Sequence, residues 1–363
     1  SDYDNLYKRT VSDFLHDAQQ DGLAAAIADR KAWGAMRMSP TDLADVNGHT
    51  YTYLANGHTA AQNWTGLFAP GERVRLRFIN GAAMTFFDVR IPGLKLTVVA
   101  ADGQPIQPVD IDEFRIAPAE TYDVIVQPMD AAAYTVFAQA MDRSGFTRIT
   151  LAPQLGMQAV IPVLDKRPLL TMDDMGHGGH AMGKAGEMTC GAAMGMPAME
   201  GMAGMAHSSA MQTHPASETR NPDVDMQTMA PVPKLDDPGI GLRNNGREVL
   251  RYSQLHSLHA PADDREPSRE IELHLTGNME RFTWGFDGIA FSDAAPIRLK
   301  YGERVRMVLI NDTMMEHPIH LHGMWSDLED ANGQFLVRKH TVSIPPGSKR
   351  SIRVTADALG RWA

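Results

Sequence analysis

One ten-residue segment occurs twice in this chain of 363 residues. Residues 71–80 read GERVRLRFIN and residues 302–311 read GERVRMVLIN, so seven of ten positions are identical at an offset of 231. The ungapped match continues to Met84 and Met315. Two copies of one domain are the simplest origin of such a repeat.

Both copies have the pattern of β structure. Short runs with apolar residues at alternate positions recur between Gly, Pro, Asn and Asp, as in residues 73–80, 95–100 and 121–127, and again from Ile271 onward. Runs of this length at close spacing predict an all-β fold of two sandwich or barrel domains. Residues 1–33 differ, because their apolar residues recur at helical spacing and Gly22 separates two short patterns. They predict a helical hairpin packed on the next domain.

Methionine is concentrated between the two copies. Residues 172–229 hold 12 of the 23 Met residues, and residues 172–245 are rich in Gly, Ala, His, Ser and Pro. A segment with so few aliphatic and aromatic side chains is expected to bury little surface, which predicts a flexible linker. The predicted organisation is a helical segment over 1–45, a β domain over 46–171, the Met/His-rich linker over 172–245 and a second β domain over 246–363.

Composition excludes several classes of protein. The net charge is −10 and no block of Lys or Arg stands out, so we expect no nucleic-acid partner. No apolar run reaches the roughly 18 residues that span a bilayer, so we expect no membrane span. The single cysteine, Cys190, excludes a disulfide framework and any metal site that needs several cysteines of this chain.

The second copy carries a histidine motif, EHPIHLHG, over residues 316–323. The repeat offset pairs its histidines with apolar residues of the first copy: His317 with Phe86, His320 with Val89, and His322 with Ile91. Imidazole is a good ligand for copper, zinc, iron and nickel. The second copy is therefore predicted to bind metal and the first to be structural. Because side chains alternate along a strand, His320 and His322 are predicted to share one face and His317 to lie on the other.

The motif resembles the C-terminal domain of multicopper oxidases, together with the strand at 305–311 before it and the SIPPG stretch at 343–347 after it. Four further stretches are similar to the copper-resistance protein A branch of that family: YTYL at 51–54, NWTGL at 63–67, MTFFDV at 84–89 and LTM at 170–172. The resemblance covers nearly the whole chain apart from the linker. It implies cupredoxin-like Greek-key domains and copper as the cofactor.

The resemblance also implies roles for the histidines. His317 would bind the type 1 copper, His320 the type 2 copper and His322 one of the type 3 pair. A type 1 site also needs a Cys thiolate, which the family supplies from an H-C-H motif absent here. We therefore expect a fragment, inactive alone, of a longer periplasmic oxidase that uses copper ions, dioxygen and a reducing substrate.

The linker offers soft ligands, because thioether and thiolate sulfur suit Cu(I). The candidates are Met172, Met175, His177, His180, Met182, Met188, Cys190, Met194, Met196, Met199, Met202 and Met205, with His207, Met211 and His214 beside them. Because the linker lacks the Leu, Val and Phe of a packed core, its methionines are predicted to bind copper rather than to fill a core.

Three functions stay open at this stage. The chain is part of an oxidase of Cu(I) or phenols that acts in copper resistance, or a non-catalytic cupredoxin-like protein that sequesters copper, or a relative that has lost copper. The spacing of His256, His259, His274 and His340 indicates no metal site, and the acidic residues at 327–330 favour an exposed loop.

Overall fold

The computed structural model describes residues 7–44, 46–176, 211–281 and 283–362. The chain is mostly β with two helices, α1 (Val11–Gln20) and α2 (Leu23–Ala35), as the sequence predicted. None of the helices in these ranges is long and apolar enough to cross a membrane.

The helical hairpin begins at a side-chain cap. Asp13 N donates to Thr10 Oγ1 (3.3 Å) while Thr10 N donates to an Asp13 carboxylate oxygen (2.6 Å), so each residue satisfies an amide that the first helical turn leaves free. Gly22, with φ of 89°, lies in the turn that separates α1 from α2. Only α2 buries side chains, Ala26 and Trp33, so this helix anchors the hairpin.

The first β unit is built from two packed sheets. Its strands are β1 (Leu54–Ala55), β2 (His58–Thr59), β3 (Thr65–Leu67), β4 (Val74–Ile79), β5 (Phe87–Arg90), β6 (Leu96–Ala101), β7 (Gln104–Ile111), β8 (Glu113–Ile116), β9 (Thr121–Val126), β10 (Tyr134–Ala140) and β11 (Phe146–Ala152). One packed sheet has the order β3-β11-β10-β5-β8 and the other β4-β9-β6-β7, and β1 pairs with β2 in a separate two-stranded ribbon. In β9 the alternate residues Tyr122, Val124 and Val126 are at most 1% exposed and form part of the core.

The second β unit contains a seven-stranded sheet. Its strands are β12 (Arg269–Asn278), β13 (Thr283–Phe286), β14 (Ile289–Ala290), β15 (Arg304–Asn311), β16 (His317–His320), β17 (Ser326–Glu329), β18 (Phe335–Lys339), β19 (Thr341–Ile344) and β20 (Lys349–Thr355). The large sheet has the order β14-β13-β12-β15-β20-β17-β18, and β16 pairs with β19 in a separate ribbon. The central strand β15 is buried at every position but one.

The repeated segment forms the same turn in both copies. Gly71 and Gly302 both have positive φ, 83° and 77°, which glycine adopts without strain. The carboxylates of Glu72 and Glu303 each accept the amide three residues earlier, at 2.8 and 2.9 Å. The identical residues therefore form the same type of turn before β4 and before β15.

The two copies also end the strand alike. The side-chain amide groups donate to matching carbonyl oxygens: Asn80 Nδ2 to those of Thr85 (2.8 Å) and Ile116 (3.0 Å), and Asn311 Nδ2 to those of Met315 (2.7 Å) and Ile344 (2.8 Å). The first loop thus has one residue more than the second between the asparagine and the carbonyl that it binds.

This extra residue shifts the correspondence beyond the loop by one position. The strand bounds agree, since β5 begins at Phe87 and β16 at His317, and so do the later glycines with positive φ, Gly93 and Gly323. The ungapped pairing of Phe86, Val89 and Ile91 with the histidines is therefore wrong. In the structure His317 corresponds to Phe87, His320 to Arg90 and His322 to Pro92.

The prediction that residues 172–245 bury little surface is wrong for their described part. Met175 is 0% exposed, and Met226, Leu235 and Leu242 are at most 5% exposed. These isolated apolar residues follow no periodic pattern, yet Met175 and Met226 pack in the cluster around Trp33 of α2, and Leu235 packs in the core of the β units. Residues 177–210 lie outside the described residues, and so do most of the predicted soft ligands.

Methionine does fill a core here, contrary to the expectation for Met172 and Met175. Both belong to an apolar cluster around Trp33 and Phe86, which also contains Met36, Met38, Met141, Met226, Met279, Met314 and Met315. An unbranched thioether adapts to irregular gaps, which suits an interface between non-repeating surfaces.

Candidate metal centre

The histidine motif lies on an edge ribbon beside the large sheet. In the β16–β19 pair His317 is opposite Ile344 and His320 is opposite Thr341. His322 follows in the turn that Gly323 closes with φ of 76°. A Cβ at Gly323 would lie 2.6 Å from the indole ring of Trp362, so only glycine fits this turn without displacing the ring.

His317 has one nitrogen fixed and one available. Its Nε2 lies 2.7 Å from Thr313 Oγ1, and that hydroxyl donates to Asn311 Oδ1 (2.8 Å). Because the hydroxyl proton is used there, Thr313 accepts from His317 Nε2–H, and Nδ1 keeps its lone pair. The imidazole also packs edge-on against Trp284, with ring centroids 5.2 Å apart.

Burial keeps this imidazole neutral. Desolvation lowers the pKa of His317 to about 4, so the ring carries no proton on Nδ1 at neutral pH. A histidine ligand must be neutral to donate its lone pair. His317 is therefore prepared to bind a metal through Nδ1.

His320 is fixed through its other nitrogen. Its Nδ1 donates to the backbone carbonyl of His340 (2.6 Å), which leaves the lone pair on Nε2. Its ring lies 5.1 Å from that of His322 and 5.5 Å from that of His340. His340, which spacing alone did not single out, thus positions His320 through its backbone.

The motif therefore presents two kinds of site. His320 and His322 lie side by side, while His317 faces Trp284 and offers a different nitrogen. In the described parts of the chain, the one group of three or more His, Cys, Asp or Glu side chains with converging donor atoms lies elsewhere. The three motif histidines thus do not surround a single ion, and their assignment to separate coppers stays a prediction.

A cavity of about 200 Å³ adjoins His317 where the two β units meet. Both copies line it, the first through Met84 and Phe86 and the second through Met315 and His317. Further lining residues bring thioether, carboxylate and aromatic groups to the same space: Met141, Asp142, Trp284 and Glu316. A cation or an aromatic molecule in this cavity would lie close to the His317 ring.

Two groups were missed from the sequence. The buried cluster of His214, Glu218, His274 and Asp312 comes from three separate segments, and its one sequence signal is the spacing of four between the first two residues. The acidic residues after the motif are not in an exposed loop: β17 is buried, Asp327 pairs with Arg304 (2.9 Å) and Glu329 pairs with Arg306 (2.8 Å).

Comparison with known proteins identifies the family. Residues 7–161 and residues 264–363 each match a multicopper oxidase family. The chain belongs to the multicopper oxidases. It is 62% identical over 396 residues to copper resistance protein A of Escherichia coli, which covers 100% of this chain and 64% of that protein. It is 62% identical over 380 residues to a homologue of that protein from Pseudomonas syringae pv. tomato, which covers 100% of this chain and 63% of the homologue.

This multicopper oxidase chain thus spans less than two thirds of the length of these relatives. Among solved structures it is similar to Fet3p, a multicopper oxidase that functions in iron import, with a TM-score of 0.52 and 16% identity over 83% of this chain and 54% of that one. The likeness shows the shared fold and confirms the cupredoxin-like architecture.

Proposed function

We propose that this chain is part of a copper-resistance oxidase and supplies one ligand to each kind of copper. His317 binds the type 1 copper through Nδ1, His320 binds the type 2 copper through Nε2, and His322 binds one type 3 copper. The observation that carries the proposal is the fixed tautomers, because Thr313 and the His340 carbonyl aim different nitrogens of His317 and His320 at their metals.

Bound copper supplies one-electron transfer from a reducing substrate to dioxygen. The residues of this chain keep His317 neutral, orient His317 and His320 through their hydrogen bonds, and shield His317 behind Trp284. The other ligands, including the type 1 thiolate, come in this proposal from parts of the parent protein outside this chain. Cys190 lies outside the described residues and is given no role.

Cu(I) is the substrate that the cavity beside His317 favours. Met84, Met141 and Met315 offer soft thioether ligands, and Asp142 and Glu316 add negative charge that attracts a cation. We place the parent oxidase in the periplasm, with the linker collecting copper and the two β units as its domains. Phenols are the competing substrates, since Phe86 and Trp284 also line the cavity.

The ligand assignment is tested in the full-length oxidase loaded with copper. His317→Ala should lose the blue absorption band, and His320→Ala should lose the type 2 signal in electron paramagnetic resonance. Both should lose dioxygen consumption. The matched control is His259→Ala, because His259 is exposed and outside the motif. Unchanged copper content and unchanged spectra in both motif variants would contradict the assignment.

The substrate is tested by Met315→Leu in the same protein. We expect kcat/KM for Cu(I) to fall about ten-fold and kcat/KM for a phenol to change little, since leucine keeps the volume but removes the sulfur. Met307→Leu is the control, because Met307 is buried in the core of β15 and does not line the cavity. An equal change for both substrates would contradict a role of the Met315 sulfur in binding Cu(I), whereas a larger loss for the phenol would favour a phenol as substrate.

A further inference from the structure

We propose that His214, Glu218, His274 and Asp312 form a second metal site, which takes a divalent transition-metal ion such as Zn²⁺ or Cu²⁺. The site joins the start of the described segment 211–281 to the second β unit. It is separate from the motif histidines and does not depend on the oxidase proposal.

Three segments bring the four residues together. Glu218 ends a single 3-10 turn at Ala216–Glu218 and His214 lies two residues before that turn, while His274 lies in β12 and Asp312 directly follows β15. Each contributes one donor atom, and all four atoms lie within 4.8 Å of one another. Because β12 and β15 are paired strands, the positions of His274 and Asp312 are held by the sheet.

The spacing of the donor atoms suits a tetrahedral ion. His214 Nδ1 lies 3.0 Å from a Glu218 oxygen and 3.3 Å from Asp312 Oδ2. His274 Nδ1 lies 2.6 Å from Asp312 Oδ2 and 3.7 Å from Glu218 Oε1. A tetrahedral ion with bonds of about 2.0–2.1 Å separates its ligand atoms by about 3.3 Å, which is close to the middle of this range.

The outer nitrogen of each imidazole is already held by an oxygen. His214 Nε2 donates to the carbonyl of Thr228 (3.0 Å), and His274 Nε2 donates to Glu272 Oε1 (3.2 Å). Metal-binding histidines characteristically donate their second N–H to a carbonyl or carboxylate in this way. Both Nδ1 atoms consequently face the two carboxylates.

This arrangement needs positive charge at its centre. The Glu218 and Asp312 side chains are 0% exposed, and in the described part of the chain neither is paired with Lys or Arg. Two protonated histidines would supply this charge. They would still leave the buried oxygen Glu218 Oε1 without a hydrogen-bond partner. An unpartnered carboxylate oxygen is costly to bury, whereas a metal ion between the four groups would use it.

The donor set selects the class of ion. Two imidazoles and two carboxylates suit Zn²⁺ or Cu²⁺, whereas Cu(I) prefers the sulfur ligands of the methionines. The site would therefore hold an ion that the Met-rich linker does not prefer. An ion here would fasten the segment after residue 210 to β12 and to the end of β15.

The test uses this chain freed of metal and then titrated separately with Zn²⁺ and with Cu²⁺. Glu218→Gln keeps the size of the side chain and removes its charge, and His256→Ala is the control because His256 is exposed and distant in sequence. We expect wild type and His256→Ala to bind one ion more tightly than Glu218→Gln does, by about ten-fold or more. Ions held by the motif histidines or by the linker methionines are common to all three proteins and cancel in the comparison.

Thermal unfolding gives a second readout. The preferred ion should raise the Tm of wild type more than the Tm of Glu218→Gln, and Co²⁺ should give a tetrahedral absorption spectrum in wild type and in His256→Ala but not in Glu218→Gln. If Glu218→Gln does not fold, His214→Gln replaces it in both measurements. Equal affinity, equal stoichiometry and an equal Tm shift in wild type and a folded variant would overturn the proposal and leave a network of protonated histidines.

Discussion

In both copies of the repeat, an asparagine at the end of the shared strand binds the loop that follows. The strand after that loop carries Phe87 and Arg90 in the first copy but His317 and His320 in the second. The chemistry of these matched positions differs completely. Phe87 packs edge-on against Tyr53, with ring centroids 5.1 Å apart. His317 packs against Trp284 in a similar way but keeps a lone pair free.

Arg90 shows how the first copy uses its polar groups internally. Its guanidinium pairs with Glu113 (3.1 Å) and Asp165 (3.2 Å), donates to the carbonyl of Val163 (3.1 Å) and stacks over Phe137 at 4.8 Å. The matching His320 is exposed and uses one nitrogen only. A structural copy therefore satisfies its donors within the chain, and a binding copy leaves an acceptor for a ligand.

Arg90→Ala should have the largest effect on stability. It removes one of two cations from Glu113, which is 0% exposed and stays paired with Arg247 (2.7 Å). The cost should therefore be about 3 kcal/mol, at the low end of the range for a broken buried pair. His320→Ala at the matching position should cost less than about 1 kcal/mol, since an exposed ring is lost. Urea unfolding of both variants measures their free energies of unfolding. Equal losses of stability would contradict the division into a structural copy and a binding copy.

Asn80→Ala and Asn311→Ala should cost similar amounts, about 2–3 kcal/mol each, because each removes a side-chain donor from two buried carbonyls. Asn332→Ala is the exposed control, expected within about 0.5 kcal/mol of wild type in the same urea unfolding experiment. Copper content should separate the pair, since Asn311 also accepts from the Thr313 hydroxyl that orients His317. Loss of copper in the full-length Asn80→Ala protein would contradict this division of roles.

What the sequence predicted correctly was local. The all-β pattern and the helices around Gly22 each depend on neighbouring residues. The strand His317–His320, which begins the histidine motif, is local too, whereas His322 lies in the turn after it. Patterns of this kind can be recognised within a short segment of sequence, because strand and turn geometry repeats over a few residues.

What the sequence did not predict was set by contacts between distant segments. The one-residue shift of the repeat appears in the bonds that Asn80 and Asn311 make and in the bounds of the strands that follow. Asp327 is buried because Arg304 faces it across the sheet. The cluster of His214, His274 and Asp312 assembles only when β12 pairs with β15. The spacing of residues within one segment therefore cannot predict it.

The smallest expected effect concerns Glu72 and Glu303, which make the same turn. Glu303 also pairs with Arg269 at 2.7 Å, and Arg269, with the Lys300 amide, lowers the pKa of Glu303 from 4.5 to about 2. A carboxyl with a depressed pKa stabilises the fold above its unfolded pKa and loses that contribution as the pH falls through the folded pKa. The difference in Tm between wild type and Glu303→Gln should therefore be largest above pH 4.5 and should shrink towards pH 2.

Glu72→Gln is the matched comparison, because in the described part of the chain Glu72 makes the turn bond without an ion pair. Its Tm difference from wild type should be smaller than that of Glu303→Gln at neutral pH. Added salt separates the two contributions, since it screens the exposed pair with Arg269 and leaves the hydrogen bond to the turn amide. If salt leaves the Glu303→Gln difference unchanged, the shared turn bond accounts for the whole effect, and the two copies are equivalent at this position.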